Sequence, residues 1–151
     1  MPNSTICVDA SLVIRLLLSG EYTSPVAVLW RAWHEAESLI VAPTLIHYEV
    51  SNVLRRYVVH GGLLPEEAAE ALEAVLQLGI ALHGDAALHR RALALAGHLE
   101  LSTAYDAHYL ALAERLGAEF WTADQRLVNA VSAVLPWVHG AISFETGVVS
   151  E

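Results

Sequence analysis

The sequence predicts an α/β fold of three layers, in which a mainly parallel sheet of four to five strands is flanked by helices. Short apolar runs alternate along the chain with longer segments of helical periodicity, which is typical of a parallel sheet covered on both faces. Apolar residues make up 55% of the 151 residues and charged residues only 17%, a composition that favours a buried core over disorder. Because the length is that of one compact domain, we expect residues 1–151 to form a single domain.

The predicted strands are short apolar runs, each of which stops at a polar residue or a turn. They cover residues 6–8, 39–42, 80–82, 119–122 and 137–139. Asp9 follows the first strand, and Asp124 lies just past the fourth. In a parallel sheet, ligands bind at the carboxyl ends of the strands. Asp9 and Asp124 therefore lie where a functional site is expected.

The predicted helices begin at capping residues or prolines, and several end at glycines. They run from near residue 11, over 26–37, from residue 44 to about 59, and over 63–78, 86–98, 103–116 and 127–134. Ser24 and Pro25 mark the start of the second helix, and Thr44 is expected to cap the third. Gly117 ends the helix over 103–116, which has the clearest pattern.

The charge balance limits the partners that the protein can have. Eight arginines and no lysine oppose seventeen acidic residues, which gives a net charge of −9. This excludes a broadly basic nucleic-acid-binding surface, but a nucleic-acid substrate stays possible because a cation bound among carboxylates inverts the local charge. The single cysteine, Cys7, excludes an intrachain disulfide and a thiolate metal cluster.

Neither a membrane span nor a signal peptide is expected. The longest apolar stretches, such as residues 39–42, are far shorter than the roughly 18 residues that a transmembrane helix needs. Residues 1–5 lack the basic start and the long apolar run of a signal peptide. We therefore expect a soluble, cytoplasmic protein.

Acidic residues lie beside strand ends or apolar helix faces at four positions: Asp9, Glu49, Asp106 and Asp124. Ordinary explanations exist for each, since Asp9 and Asp124 can cap the helices that follow them. Asp106 fits a capping box with Thr103, and Glu49 fits a solvated helix surface. Converging carboxylates would instead repel one another, and a hard divalent cation relieves that repulsion. Basic residues do not adjoin Asp9, Glu49 or Asp106 in sequence, which favours a metal ion over a salt bridge.

Four segments carry these acids in order along the chain. They are Val8-Asp9-Ala10-Ser11, Tyr48-Glu49-Val50-Ser51-Asn52-Val53-Leu54, Tyr105-Asp106-Ala107-His108-Tyr109-Leu110-Ala111-Leu112-Ala113 and Trp121-Thr122-Ala123-Asp124. In this order and spacing they resemble a PIN domain, and most closely the small VapC-type toxins of bacterial toxin–antitoxin pairs. The resemblance covers residues 6 to about 138. It implies a ribonuclease in which the four acids are the catalytic residues and bind Mg²⁺ or Mn²⁺.

The implied reaction is hydrolysis of an RNA phosphodiester by a metal-activated water molecule. We expect Asp9 and Asp124 to be the direct metal ligands, because strand ends hold them most rigidly, and the other two acids to orient water. Gln125 and Arg126 stand where some relatives have a further acid, which counts against a second tightly held metal.

Other polar residues are expected to support this site. Ser11 is expected to cap the first helix beside the site, and Thr122 either orients a ligand or is an ordinary strand residue. Asn52 lies one helical turn after Glu49, on the same face. The arginines that are candidates for contact with the RNA backbone, against an ordinary solvated surface, are Arg15, Arg55, Arg56 and Arg126.

The resemblance also implies an antitoxin partner and a homodimer. Residues 27–36 include Trp30 and Trp33 and are a candidate groove for an antitoxin helix, unless they pack inside the domain. The alternatives to a toxin are a stand-alone PIN nuclease in RNA processing and a non-catalytic PIN-like binding module. The eight histidines lack metal-binding spacing. An aspartate-nucleophile phosphatase is disfavoured because Ser11 stands where its second aspartate is typically found.

Overall fold

The computed structural model describes residues 4–20 and 23–141, which contain one five-stranded sheet. The strands are β1 Thr5–Val8, β2 Leu39–Pro43, β3 Ala81–His83, β4 Glu119–Thr122 and β5 Val138–Gly140. They lie in the order β3-β2-β1-β4-β5, and every neighbouring pair is parallel. The predicted α/β class is therefore confirmed, and the described sheet is wholly parallel. The ends of the predicted domain, residues 1 and 151, lie outside the described residues.

Helices connect the strands throughout the described part of the chain. They are α1 Ala10–Leu18, α2 Pro25–Glu35, α3 Leu45–Val59, α4 Pro65–Leu76, α5 Ala86–His98, α6 Tyr105–Leu116 and α7 Gln125–Val131. Crossovers between parallel strands are right-handed, and the chain steps across the sheet in opposite directions before and after β3. As a result, α1 to α4 cover one face of the sheet and α5 to α7 cover the other, which gives the three predicted layers.

The strand order places a crevice between β1 and β4. The chain leaves β1 towards β2 on one side of the sheet, whereas β4 lies on the other side of β1. At such a switch point the following helices lie on opposite faces, and the carboxyl ends of the two strands stay open between them. The residues that follow β1 and β4 therefore lie beside this open crevice.

The core lies on both faces of the central strands. Cys7 and Phe120 have no exposed surface in β1 and β4. Helix α6 packs against β1, β2 and β4, and its Leu110 is fully buried. The helix ends at Gly117, whose φ of 62° is left-handed, as the sequence predicts for a glycine stop. Within the described residues, every helix is too short or too polar to cross a membrane.

The predicted cap at Thr44 and the capping-box explanation of Asp106 are both wrong, for a shared reason. Thr44 precedes α3 but already has helical dihedral angles, so its hydroxyl makes no capping hydrogen bond. Ala104 precedes α6 with near-helical angles and no side-chain cap, so Thr103 and Asp106 do not form a capping box. A capping side chain needs an extended backbone to reach the helix N–H groups. The carboxylate of Asp106 is therefore not used in capping α6.

Candidate active site

Asp9 follows β1 directly and has only 5% of its surface exposed. Its Oδ1 accepts hydrogen bonds from the Leu12 backbone N–H at 3.0 Å and from the Ser11 hydroxyl at 2.8 Å. Its Oδ2 accepts a hydrogen bond from the Thr122 hydroxyl at 2.5 Å. Thr122 is within reach because β1 and β4 are paired in the sheet. Both oxygens of this buried carboxylate are therefore fixed by the protein.

Burial is the main reason that the pKa of Asp9 rises from its ordinary 3.8 to about 7. The negative charge of Asp106 acts in the same direction, while the hydrogen bonds from Thr122 and Ser11 oppose the rise. Asp9 is consequently close to half-ionised at neutral pH. A cation beside it would favour the charged form.

Ser11 and Thr122 connect Asp9 to the loop that carries Asp124. The Ser11 hydroxyl accepts a hydrogen bond from the Ala123 N–H at 3.0 Å, and the Thr122 hydroxyl accepts one from the Asp124 N–H at 2.9 Å. The predicted cap at Ser11 is wrong, because Asp9 itself accepts the capping hydrogen bond of α1. Of the two interpretations of Thr122, the structure supports positioning, since its fully buried hydroxyl holds Asp9.

Asp124 is half-buried at the start of α7. Its Oδ1 accepts hydrogen bonds from the N–H groups of Arg126 at 3.0 Å and Leu127 at 3.4 Å, so the capping explanation is correct. Within the described residues, Oδ2 has no hydrogen-bond partner. Capping and ligand binding are therefore compatible, because each uses a different oxygen.

Glu49 lies on α3 and faces α6 across the crevice. Its Oε1 accepts a hydrogen bond from the Tyr109 hydroxyl at 2.5 Å. Tyr109 is 1% exposed, and burial raises its pKa well above the usual range. Burial also raises the pKa of Glu49, with a further contribution from the charge of Asp106. No role for Tyr109 is predicted from the sequence, although its position three residues after Asp106 on the same helix face could have indicated one.

Asp106 interacts electrostatically with each of the other three acids. Among the described residues its side chain accepts no hydrogen bond. Burial raises its pKa, the charge of Asp124 raises it further, and Arg126 opposes the rise. The charge of Asp106 in turn raises the pKa of Asp9 and Glu49. The four predicted acids therefore lie close enough for their negative charges to interact, so that ionisation of one makes ionisation of its neighbours less favourable.

This donor set fits a hard divalent cation. It offers carboxylate oxygens, the ligands that Mg²⁺ and Mn²⁺ prefer, and a local excess of negative charge. In the described part of the chain, no three His, Cys, Asp or Glu side chains are arranged to hold an ion together. A site without three converging side chains is compatible with Mg²⁺, which is usually bound by one or two carboxylates and several water molecules.

Comparison with known proteins agrees with this architecture. Residues 6–132 match the family model of the PIN domain. The chain belongs to the PIN domain family.

Relatives of this PIN domain match it over most of their length. It is 33% identical over 132 residues to ribonuclease VapC3 of Pyrobaculum aerophilum, covering 86% of this chain and 97% of that protein. It is also 33% identical over 132 residues to ribonuclease VapC9 of Mycobacterium tuberculosis, covering 87% of this chain and 94% of the relative.

Solved structures share the fold of this PIN domain. PAE2754 from Pyrobaculum aerophilum superposes with a TM-score of 0.68 at 21% identity, covering 99% of this chain and 92% of that one. VapC20 of Mycobacterium tuberculosis, described as a sarcin-ricin loop cleaving toxin, superposes with a TM-score of 0.61 at 20% identity. The latter match covers 85% of this chain and 95% of VapC20.

A groove leads away from the acids of this PIN domain. Two cavities of about 330 and 450 Å³ share Val53 and Tyr57 in their linings. The first is also lined by Arg56, and the second by Arg15 and by Ser11, the hydrogen-bond partner of Asp9. Two of the four candidate RNA-binding arginines therefore lie along one path to the site.

The remaining candidates lie elsewhere. Arg55 lines a cavity between α3 and α4, away from that groove. Arg126 is exposed, and its Nε lies 3.8 Å from Oδ1 of Asp124. Asn52 is exposed on α3, and in the described residues its side chain has no hydrogen-bond partner. The structure therefore places Arg126 beside the acids but does not join Asn52 to Glu49.

The segment over residues 27–36 packs inside the domain through Trp33. This side chain is 9% exposed, and its ring lies 5.8 Å from the rings of both Trp30 and Trp121. Of the two interpretations of this segment, an antitoxin groove or an internal contact, the structure supports the second for Trp33.

Proposed function

We propose that this PIN domain is a metal-dependent endoribonuclease and the toxin of a VapBC-type toxin–antitoxin pair. The observation that carries the proposal is the convergence of four carboxylates at the switch point between β1 and β4, where the charge of Asp106 raises the pKa of Asp9 and Glu49 and the charge of Asp124 raises that of Asp106. The relatives named as VapC ribonucleases support it. The domain is proposed to span residues 1–151.

Asp9 and Asp124 are the proposed ligands of Mg²⁺ or Mn²⁺. When bound, such an ion activates a water molecule and neutralises charge on the scissile phosphate. Ser11 and Thr122 hold the Asp9 carboxylate in one orientation, so little reorganisation is needed when it binds a ligand. Asp124 is held by the α7 N-terminus and keeps Oδ2 open.

Glu49 and Asp106 are the proposed residues for orienting and deprotonating the attacking water. The raised pKa values of both carboxyls make them stronger proton acceptors than ordinary carboxylates. Tyr109 fixes Glu49 by donating a hydrogen bond to it. Attack by water leaves a 5′-phosphate and a 3′-hydroxyl and does not require the RNA 2′-hydroxyl.

The groove from Ser11 to Arg56 is the proposed path of the RNA backbone. Arg15 and Arg56 supply positive charge along it, which favours contact with the phosphates of the RNA. Arg126 would meet the phosphate beside Asp124. Arg55 and Asn52 are weaker candidates because neither adjoins this path in the structure.

We further propose that the protein acts in the cytoplasm as a homodimer and is inhibited by a cognate antitoxin. The acidic site suits inhibition by a basic side chain of that partner. Co-expression with the protein encoded beside it would test this partnership. Growth arrest that persists in the presence of that neighbour would contradict it.

The direct test of the activity is cleavage of labelled total RNA by the purified protein. We expect cleavage with Mg²⁺ or Mn²⁺ and none with a chelator. Asp106→Asn is the matched control, because it removes one charge and keeps the shape. Cleavage that survives this substitution would reveal a contaminating nuclease. A wild-type protein that neither cleaves RNA nor binds Mn²⁺ in calorimetry would instead be a binding module.

A further inference from the structure

A further cavity opens at the same edge of the sheet, at the carboxyl ends of β2 and β3. Its volume is about 330 Å³, and its lining includes Tyr48, His83, His89, Tyr105 and His108. Each of the two tyrosines directly precedes one of the catalytic acids in sequence. The cavity therefore adjoins the proposed active site, on the side of α3 and α6.

The charge of this cavity differs from that of the rest of the molecule. The described residues that line it include no Asp or Glu, although seventeen of the 151 residues are acidic. Its polar groups are instead those of three histidines, two tyrosines and Thr44. A polyanion beside the four acids therefore meets less repulsion here than on the average surface of the protein.

The two tyrosines are unusually exposed for large aromatic side chains. Tyr48 is 75% exposed and Tyr105 is 60% exposed. Neither ring contributes much to the core, so a folding role does not explain them. Exposed aromatic rings beside a nuclease site are suitable for stacking on unpaired bases, which is how proteins commonly hold single-stranded RNA.

A chain of hydrogen bonds fixes the histidines on one wall. Nδ1 of His108 lies 2.6 Å from the Ala104 carbonyl oxygen, which can only accept, so Nδ1 carries a proton. In the neutral ring, Nε2 of His108 then accepts from Nδ1 of His89 at 2.9 Å. This leaves Nε2 of His89 as a hydrogen-bond acceptor. Such a group can receive the N–H of a base edge.

We propose that this cavity binds one unpaired nucleobase of the RNA, held by stacking on Tyr48 and Tyr105. Its volume lies at the small end of the roughly 300–1,000 Å³ range of ligand pockets, which suits a single base. The proposal rests on the ribonuclease function above and adds a base-binding subsite beside the four acids.

The test measures binding of fluorescein-labelled octaribonucleotides of A, C or U by anisotropy in Mg²⁺. The protein carries Asp124→Asn, which prevents cleavage and lies away from the cavity. We expect Tyr48→Ala and Tyr105→Ala each to weaken binding of at least one oligonucleotide about 5-fold or more. Tyr48→Phe and Tyr105→Phe keep the ring and should stay within about twofold of the parent.

Two controls separate base binding from other effects. An abasic octamer keeps the phosphates and should bind the alanine variants and the parent equally. Leu93→Ala removes a side chain that is 71% exposed on α5 and should leave RNA binding unchanged.

The inference is overturned if the tyrosine variants bind like the parent, if they lose the abasic octamer equally, or if the parent binds none of the octamers. Cleavage of total RNA by the wild type is scored separately. Cleavage without these binding losses rejects the base subsite alone, whereas absence of both rejects the ribonuclease function.

Discussion

The side chain of Asp9 contributes both to the fold and to the proposed metal site. It caps α1 through Oδ1, and it stands buried at the proposed metal site. Burial of a carboxylate is unfavourable, and the hydrogen bonds from Ser11 and Thr122 only partly offset it. The residue therefore illustrates how a site needed for activity reduces the stability of the metal-free fold.

Replacement of Asp9 by asparagine should stabilise the metal-free protein at neutral pH. The pKa of Asp9 is about 7 in the folded state and near 3.8 when unfolded, so the folded state binds the proton more tightly. Stability of the wild type should consequently fall as pH rises from about 4 to 7, by up to roughly 4 kcal/mol. Urea unfolding with a chelator, from pH 4 to 8, measures this. An Asp9→Asn variant with the same pH dependence as the wild type would contradict the assignment.

Tyr109→Phe tests whether Glu49 needs its hydrogen bond. The substitution removes one hydroxyl and keeps the ring that packs in the core. We expect RNA cleavage to fall about 10-fold or more, because Glu49 loses the group that positions it. Stability should change by only about 1 kcal/mol. Single-turnover cleavage and urea unfolding together distinguish this result from simple unfolding, and full activity in the variant would remove Tyr109 from the site.

Helix α6 likewise contributes both to the core and to the proposed active site. It packs on the sheet, where the ring of Tyr109 lies 6.1 Å from that of Phe120, and its first turn carries Asp106. On its outer side it is tied to α5 by the ion pairs Arg91–Glu114 and Arg115–Asp85. These pairs are solvent-exposed and add little to stability. Apolar packing on the sheet therefore sets where Asp106 lies.

Leu110→Ala should weaken both the fold and the site. Leu110 on α6 has no exposed surface, and its truncation leaves a cavity in the core that costs about 2–5 kcal/mol. Urea unfolding measures the loss. Leu93→Ala on α5 is the matched control, since that leucine is exposed and its loss should change stability by less than about 0.5 kcal/mol. Equal effects in the two variants would show that α6 does not carry the core.

Negative charge dominates the whole molecule. The net charge is −9, and the four acids concentrate that charge at one edge of the sheet. A bound divalent cation would neutralise part of this field in the folded state only. Metal binding and folding should therefore be linked.

Millimolar Mn²⁺ or Mg²⁺ should raise the melting temperature by several degrees. An ion present at about 100 times its Kd stabilises the folded state by about 2.7 kcal/mol. Differential scanning fluorimetry measures the shift, with NaCl at equal ionic strength as the control. Asp9→Asn and Asp106→Asn should each lose most of it. A shift that persists in both variants would indicate general charge screening and not a site.

The fold and the positions of Asp9 and Asp124 at strand ends were largely predictable because their signals are local. Apolar runs and turn residues located the strands and helices within a few residues, and strand ends pointed to Asp9 and Asp124. The errors are also local in origin. Ser11 looks like a cap, yet Asp9 two residues earlier takes that role, because the choice depends on the backbone angles at the end of β1.

The α/β class, the order of elements and the charged residues at the strand ends follow from local patterns, because periodicity and residue type are properties of neighbouring positions. The pairing of β4 with β1 and the hydrogen bonds from Thr122 to Asp9 and from Tyr109 to Glu49 follow only from the packed fold. These contacts join residues 113 and 60 positions apart. Such pairings depend on how helices and strands pack around a shared core, which no local pattern encodes.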